Sequence, residues 1–245
     1  MSRTIEESSW ARIVVIGDIH GYRDPLERLL GKIDPGDGDL LVFIGDYVDR
    51  GPYTRACVDL LVEVKAQKSD TVFLKGNHED MLLGSIGMPA LISDMSTWLY
   101  NGGDRTLASY GATEREIRRL RGAADEEERK RIVLGRIPQN HIEFFLDLEL
   151  YVETDRFFIC HAGVSPAATI EEGKENLFDL LWTRDHFLHD EQVWEKTVVC
   201  GHTPQKEVLV RRKLICVDTG LYYYGTLSAI DLLSGGIYQV RRDRG

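Results

Sequence analysis

An α/β fold with a partly parallel sheet is predicted by three features of this 245-residue chain. Short apolar runs rich in Val, Ile and Phe recur, as buried strands do. Helical patterns fill the gaps between the first of them, the alternation of β-α-β units. No apolar run reaches the length of about 18 residues that spans a membrane. A composition of 43% hydrophobic and 29% charged residues is that of an ordinary globular protein, able to bury a core without staples.

The elements follow in order. "RIVVIGDIHG" (12–21) reads as the first strand and the turn after it. "DPLERLLGKI" (24–33) reads as a helix with Asp24 as N-cap, Pro25 at the first helical position and Glu27 three residues after the cap. "LLVFIGDYVDRG" (40–51) is the second strand, "YTRACVDLLVEVKAQ" (53–67) an amphipathic helix, and "TVFLKGNHED" (71–80) the third strand. Residues 88–148 differ, with "STWLYNGGDRTLASYG", a charged run and a helix from about Pro138 through "EFFLDLEL". The run 114–131 is a solvated helix face with paired charges. Strand-like runs resume with "RFFICHAG" (156–163), "TVVCGHTP" (197–204) and "LICVDTG" (214–220). The segment 88–148 is therefore expected to be a helical insertion within one domain spanning residues 1–245, and no internal repeat is present.

Charge and cysteines narrow the function. A net charge of −10 argues against nucleic acid or an anionic membrane as partner, since both need a basic face. A phosphate substrate is still allowed, because bound divalent cations would reverse the local field. The start "MSRTIEESSW" lacks the apolar stretch of a signal peptide. Cys57, Cys160, Cys200 and Cys216 sit singly, without C-x-x-C spacing, and read as buried reduced thiols of a cytoplasmic protein.

Asp18, His20, Asp46, Asn77, His161 and His202 all lie at or just after the end of an apolar run. The carboxyl ends of parallel strands converge on one crevice, so these side chains are expected to meet. Their oxygen and imidazole donors suit Mn, Fe or Zn, and a set this large and mixed suggests two ions. Glycines at 17, 45, 76 and 201 directly precede polar residues, permitting sharp turns. No P-loop and no C-x5-R nucleophile loop occurs.

"GDIHG", "GDYVDRG", "GNHE", "HAG" and "GHTP", in this order, resemble the calcineurin-like metallophosphoesterase superfamily. More closely, they resemble its bacterial and phage-type serine/threonine protein phosphatases, within the phosphoprotein phosphatase family. The resemblance runs from Ile13 to about Leu232. It implies the α/β/β/α metallophosphoesterase fold, a two-sheet β-sandwich flanked by helices, with a dinuclear metal site at one end. It also implies that Asp18 and His20 hold the first ion, that Asp46 bridges both, and that Asn77, His161 and His202 complete the second. Mn²⁺ is the expected ion, with Fe or Zn as alternatives. One carboxylate between two cations offsets their repulsion and suits in-line displacement by the hydroxide they share. By the same resemblance His78 is the general acid with Asp49 as its partner. Arg50 and Arg184, the latter in "LLWTRD", would hold the non-bridging phosphate oxygens.

The other candidates carry less. His141, His186 and His189 fit no motif and are expected at the surface, on or near helices. Asp218 either supports the site or is a turn carboxylate. Tyr222, Tyr223 and Tyr224 read as alternating core and surface residues at a strand start, or else line a substrate groove. Lys75 is assigned no role.

Three functions compete. The first is hydrolysis of phosphoserine and phosphothreonine in proteins, with a phosphorylated protein or small phosphoester as the partner. The second is symmetrical hydrolysis of dinucleoside polyphosphates, whose enzymes tend to read "ARG" where this chain has Asp49-Arg50-Gly51. Asp49, with Glu79 in "GNHE", favours the phosphatase. The third, a non-catalytic scaffold, would lack ligands or the acid, and here all are present. "HAG" in place of "HGG", and the absence of an "SAPNYC" loop, leave no regulatory subunit to be inferred.

Overall fold

The computed structural model describes residues 2–122, 125–189 and 191–243. Its strands are β1 (Arg3–Thr4), β2 (Arg12–Ile16), β3 (Asp39–Phe43), β4 (Thr71–Phe73), β5 (Tyr151–Glu153), β6 (Phe157–Cys160), β7 (Thr197–Cys200), β8 (Leu209–Val210), β9 (Leu214–Cys216), β10 (Thr226–Asp231) and β11 (Ile237–Arg241). They form two sheets, ordered β11-β10-β2-β3-β4 and β1-β5-β6-β7-β9-β8. In the first, β2, β3 and β4 are parallel and β10 runs against β2. In the second, β6, β7 and β9 are parallel.

The two-sheet sandwich is as predicted, and strand alternation explains its layers. Ile13 and Val15, Leu40 and Val42, Ile159, Val199 and Ile215 point between the sheets. Their neighbours Val14, Ile16, Leu41 and Phe43 point to the outer helices, α1 (Arg23–Ile33) and α2 (Thr54–Gln67). On the far side Phe158, Cys160, Val198, Cys200 and Cys216 meet Ile170 and Leu180. Strands buried on both faces read as unbroken apolar runs. Each such Val, Leu or Ile contributes about 1.5–3 kcal/mol on burial. All four cysteines are buried and free, as expected.

The helix α1 begins two residues earlier than predicted. Its N-cap is Tyr22, without a side-chain cap, and Asp24 and Pro25 lie within the first turn. Leu26 donates its N–H to the Tyr22 carbonyl, so the turn that ends β2 leads straight into the helix. Pro25 fits because N–H groups of a first turn have no helical partner.

Among the described residues between α3 (Asn77–Ser85) and β5, the named elements are helical: α4 (Met95–Trp98), a π-helical turn (Leu99–Gly103), α5 (Asp104–Ser109), α6 (Glu114–Arg121), α7 (Glu126–Leu134) and α8 (Gln139–Leu146). They add to the helical layer over the first sheet, with Trp98, Leu107, Phe144 and Phe145 in its core. The charged run forms α6 and α7, paired through Arg119–Glu128 and Arg136–Glu116; residues 123–124 within it lie outside the described residues. Helix α8 ends sooner than predicted, because Glu149 forms a bridge to Leu74 beside β4. The helices α9 (Ile170–Lys174) and α10 (Leu177–Trp182) cover the second sheet. Among the described residues no helix is long and apolar enough to cross a membrane.

Candidate metal centre

The loops after β2 and β3 are locked together. Ile19 and His20 donate their N–H groups to the Asp46 carbonyl at 3.1 and 2.8 Å, and Gly21 donates to Tyr47 at 2.8 Å. In the second loop Asp46, Asp49 and Arg50 all take left-handed backbone angles, with φ of 54°, 69° and 65°. Such conformations are strained in non-glycine residues and cluster at functional sites. Glu79 holds one flank. Its buried carboxylate accepts N–H groups from Asp46 (2.9 Å), Tyr47 (2.8 Å), Val48 (3.2 Å) and Gly76 (3.0 Å). Burial, and then Asp46, still push its carboxyl up to about 7.

Two groups of donors share Asp46: His20, Asp46 and His78 form one, and Asp46, His161 and His202 the other, all buried. Within each group the ligand atoms lie within 4.8 Å of one another. One Asp46 oxygen lies 3.6 Å from His20 Nε2, the other 3.4 Å from His161 Nε2. Asn77 joins the second group, its Oδ1 lying 3.0 Å from His161 Nε2 and 2.9 Å from His202 Nδ1. Thus one set of donors draws on both sheets, with His20, Asp46 and Asn77 following β2, β3 and β4 and His161 and His202 following β6 and β7.

The donor chemistry fits a cation. His20 Nδ1 and His161 Nδ1 lie 3.0 and 2.9 Å from the Val48 and Ile44 carbonyls, so each donates there and turns its Nε2 lone pair inward. His161 Nε2 then faces the Asn77 and Asp46 oxygens, acceptor against acceptor, an arrangement that a positive ion among them satisfies. Burial holds His20, His161 and His202 below the usual imidazole range, and the neutral ring is the form that binds metal.

Asp18 stands apart from the two groups yet belongs to the same cluster. It is buried, and its oxygens accept the His202 N–H at 3.0 and 3.3 Å. Burial, then Asp218 and Asp46, push its carboxyl well above the ordinary range. Asp218 is likewise raised to about 7, mainly by burial, with the Gly220 N–H (2.8 Å) opposing and Asp46 adding. Carboxylates crowded in this way are short of positive charge, which divalent ions would supply. Asp218 is thus a buried turn carboxylate, accepting the Gly220 N–H, that lies near enough for its charge to bear on Asp18.

His78 is turned differently. Its Nδ1 lies 2.7 Å from Asp49 Oδ2, and its buried Nε2 has no protein hydrogen-bond partner. Burial disfavours the charged ring, but Asp46 and then Asp49 outweigh it, and the net shift is upward. Arg50 donates to His20 Nε2 at 3.0 Å, and its guanidinium lies 5.8 and 5.6 Å from the rings of Tyr222 and Tyr223. Together with Tyr100 and Arg105 these line an open cleft of about 640 Å³. Arg184 is exposed just after α10, near enough for its charge to bear on His161, His202 and Asp218.

Several expectations are corrected. Tyr222, Tyr223 and Tyr224 are not at a strand start; they lie exposed in the turn before β10. His141 and His186 are buried, and only His189 is exposed. His141 is satisfied by Tyr110 (2.8 Å) and Asp59 (3.1 Å). His186 lies 3.7 Å from Cys200 Sγ and packs against the rings of Phe187 and Trp194. Burial lowers it to about 4, so it sits neutral in the core. Of the four strand-end glycines only Gly45 is left-handed, at φ 108°.

The sequence profile of the calcineurin-like phosphoesterases matches residues 11–235. The chain is 31% identical to serine/threonine-protein phosphatase 1 of Salmonella typhimurium, over 91% of this chain and 93% of that one. It is 26% identical to the asymmetrical bis(5'-nucleosyl)-tetraphosphatase PrpE of Halalkalibacterium halodurans, over 88% of each. A solved protein serine/threonine phosphatase from Saccharomyces cerevisiae superposes with a TM-score of 0.65 at 16% identity, over 100% of this chain and 84% of that one, a likeness of fold.

Proposed function

Since the chain belongs to the calcineurin-like phosphoesterase family and is a phosphoester hydrolase, we propose that it removes phosphate from phosphoserine and phosphothreonine in proteins. The observation that carries this reading is the buried His78–Asp49 pair at 2.7 Å. The alkoxide of serine or threonine is a poor leaving group and needs a proton as it departs. A nucleotide leaving from a phosphoanhydride is stable as an anion and needs none. The bacterial relative called a serine/threonine-protein phosphatase supports the same choice. A scaffold without chemistry has no support here.

In this reading Asp18, His20, Asp46, Asn77, His161 and His202 hold two divalent cations, with Mn²⁺ the proposed occupant and Fe or Zn suited to the same donors. When bound, such ions polarise phosphoryl oxygens and bring the acidity of water toward neutrality. The protein's own share is orientation and proton transfer. Arg50 and Arg184 hold the non-bridging oxygens, Arg50 being steadied by the two tyrosine rings. His78, protonated beside Asp49, gives its proton to the departing oxygen. Arg50→Ala and Arg184→Ala are each expected to raise KM for a phosphothreonine peptide about tenfold, the worth of a charge-assisted hydrogen bond. Steady-state kinetics that left KM and kcat unchanged in both would remove the clamp. Buried, free cysteines support a reducing compartment, and the cytoplasm is the proposed location.

A second reading, hydrolysis of dinucleoside polyphosphates, is favoured by PrpE and by the tyrosine-lined cleft beside Arg50, where a base could stack. The deciding experiment compares kcat/KM of the Mn²⁺-loaded protein on a phosphothreonine peptide and on diadenosine tetraphosphate. The peptide is expected to lead by about tenfold or more. A preference for the dinucleotide overturns the first reading, and its products would separate symmetrical from asymmetrical cleavage.

A further inference from the structure

The helices between α3 and β5 reach into the site through two buried side chains. Trp98, at the end of α4, points its Nε1–H at Asp49, 3.1 Å from each carboxylate oxygen. Thr106, in α5, donates its hydroxyl to Asp49 Oδ1 at 2.7 Å. The same hydroxyl oxygen accepts the Asp49 backbone N–H at 2.8 Å. Asp49, Trp98 and Thr106 are all fully buried. The π-helical turn between them also sets Gly102 against Arg50, where a Cβ would lie 2.7 Å from the Arg50 nitrogen.

We propose that Trp98 and Thr106 are positioning residues for leaving-group protonation, fixing the Asp49 carboxylate so that it orients His78. This rests on the role given to His78 and Asp49 under the proposed function. A buried carboxylate is costly unless hydrogen-bonded. Here Thr106 occupies Oδ1, Trp98 lies across both oxygens, and Oδ2 is directed at His78 Nδ1, 2.7 Å away. With Nδ1–H committed to Asp49, His78 Nε2 is the atom free to carry a proton toward substrate. Loss of either outer donor lets the carboxylate turn about its terminal torsion, a broad one, and the imidazole loses its fixed direction. A plain packing role for the Trp98 ring, which also covers Gly103, would not depend on its N–H.

The test uses the full, Mn²⁺-loaded chain and two aryl esters. Phenyl phosphate needs a proton on its leaving group, and 2,4-dinitrophenyl phosphate does not. Trp98→Phe keeps the ring but deletes the N–H; Thr106→Val keeps the shape but deletes the hydroxyl. Each is expected to lower kcat on phenyl phosphate about tenfold, to keep the dinitrophenyl rate within about twofold, and to leave KM alone. In an Asp49→Asn background the added loss should vanish, because residues acting through one group are not additive. Equal losses on both esters, or additive losses in that background, would overturn the inference. A selective Asp49→Asn with unselective Trp98→Phe and Thr106→Val overturns it alone. An unselective Asp49→Asn overturns the acid assignment as well. If Trp98→Phe does not fold, Thr106→Val decides the matter by the same criteria.

Discussion

Asp46→Asn is expected to abolish metal-dependent turnover, lowering kcat/KM by about 10³-fold or more. Asp46 belongs to both donor groups. One of its oxygens lies 3.6 Å from His20 and the other 3.4 Å from His161. An amide keeps one oxygen and turns a nitrogen without a usable lone pair toward the other group. The substitution is a clean probe because Asn tolerates the left-handed φ of 54° at this position. The fold should survive while metal content falls below the wild-type value. Metal analysis and circular dichroism on the same sample would check this. Wild-type metal content with wild-type turnover would end the bridging assignment.

The second large effect is on stability. Gly45→Ala is expected to cost about 3–5 kcal/mol, combining backbone strain of about 1–3 kcal/mol with an overpacking cost of similar size. At φ 108° Gly45 lies where residues with a Cβ rarely go. A Cβ there would stand 2.6 Å from the Gly76 nitrogen and 2.9 Å from His161 Nδ1. Three loops meet at that point, so no single neighbour can yield alone. For a chain of this size the cost is a drop in Tm of about 10 °C, readable by thermal denaturation. A Tm within about 2 °C of the parent would mean that the loops have slack the structure does not display.

The donor residues were legible because polar residues at the ends of apolar runs need only one geometric rule, convergence at the strand ends. The motif order strengthened it. What escaped was chiefly non-local. Trp98 and Thr106 lie in a helical stretch whose pattern says nothing of Asp49, and their contacts span 49 and 57 residues of sequence. Glu79 was visible in its motif, but not as the acceptor of N–H groups from another loop. His141 meets Tyr110 and Asp59, and His186 meets Cys200, contacts far apart along the chain that no local pattern announces. Five strands were also missed. β1, β5 and β8 have only two or three residues each. β10 carries Thr226 and Ser228, which dilute its apolar signal although the serine is buried and hydrogen-bonded to Thr219 at 2.6 Å. β11 is an edge strand with every other residue exposed.

The pairing of Ala229 with Ile16 has a bearing on synthesis. While the nascent polypeptide is leaving the ribosome, β2 has its β3 partner early but keeps its other edge open until β10 has emerged. An unpaired edge templates wrong associations, and late pairings are the slow part of folding. The long interval before β10 appears is thus when the newborn protein is most in need of chaperone cover.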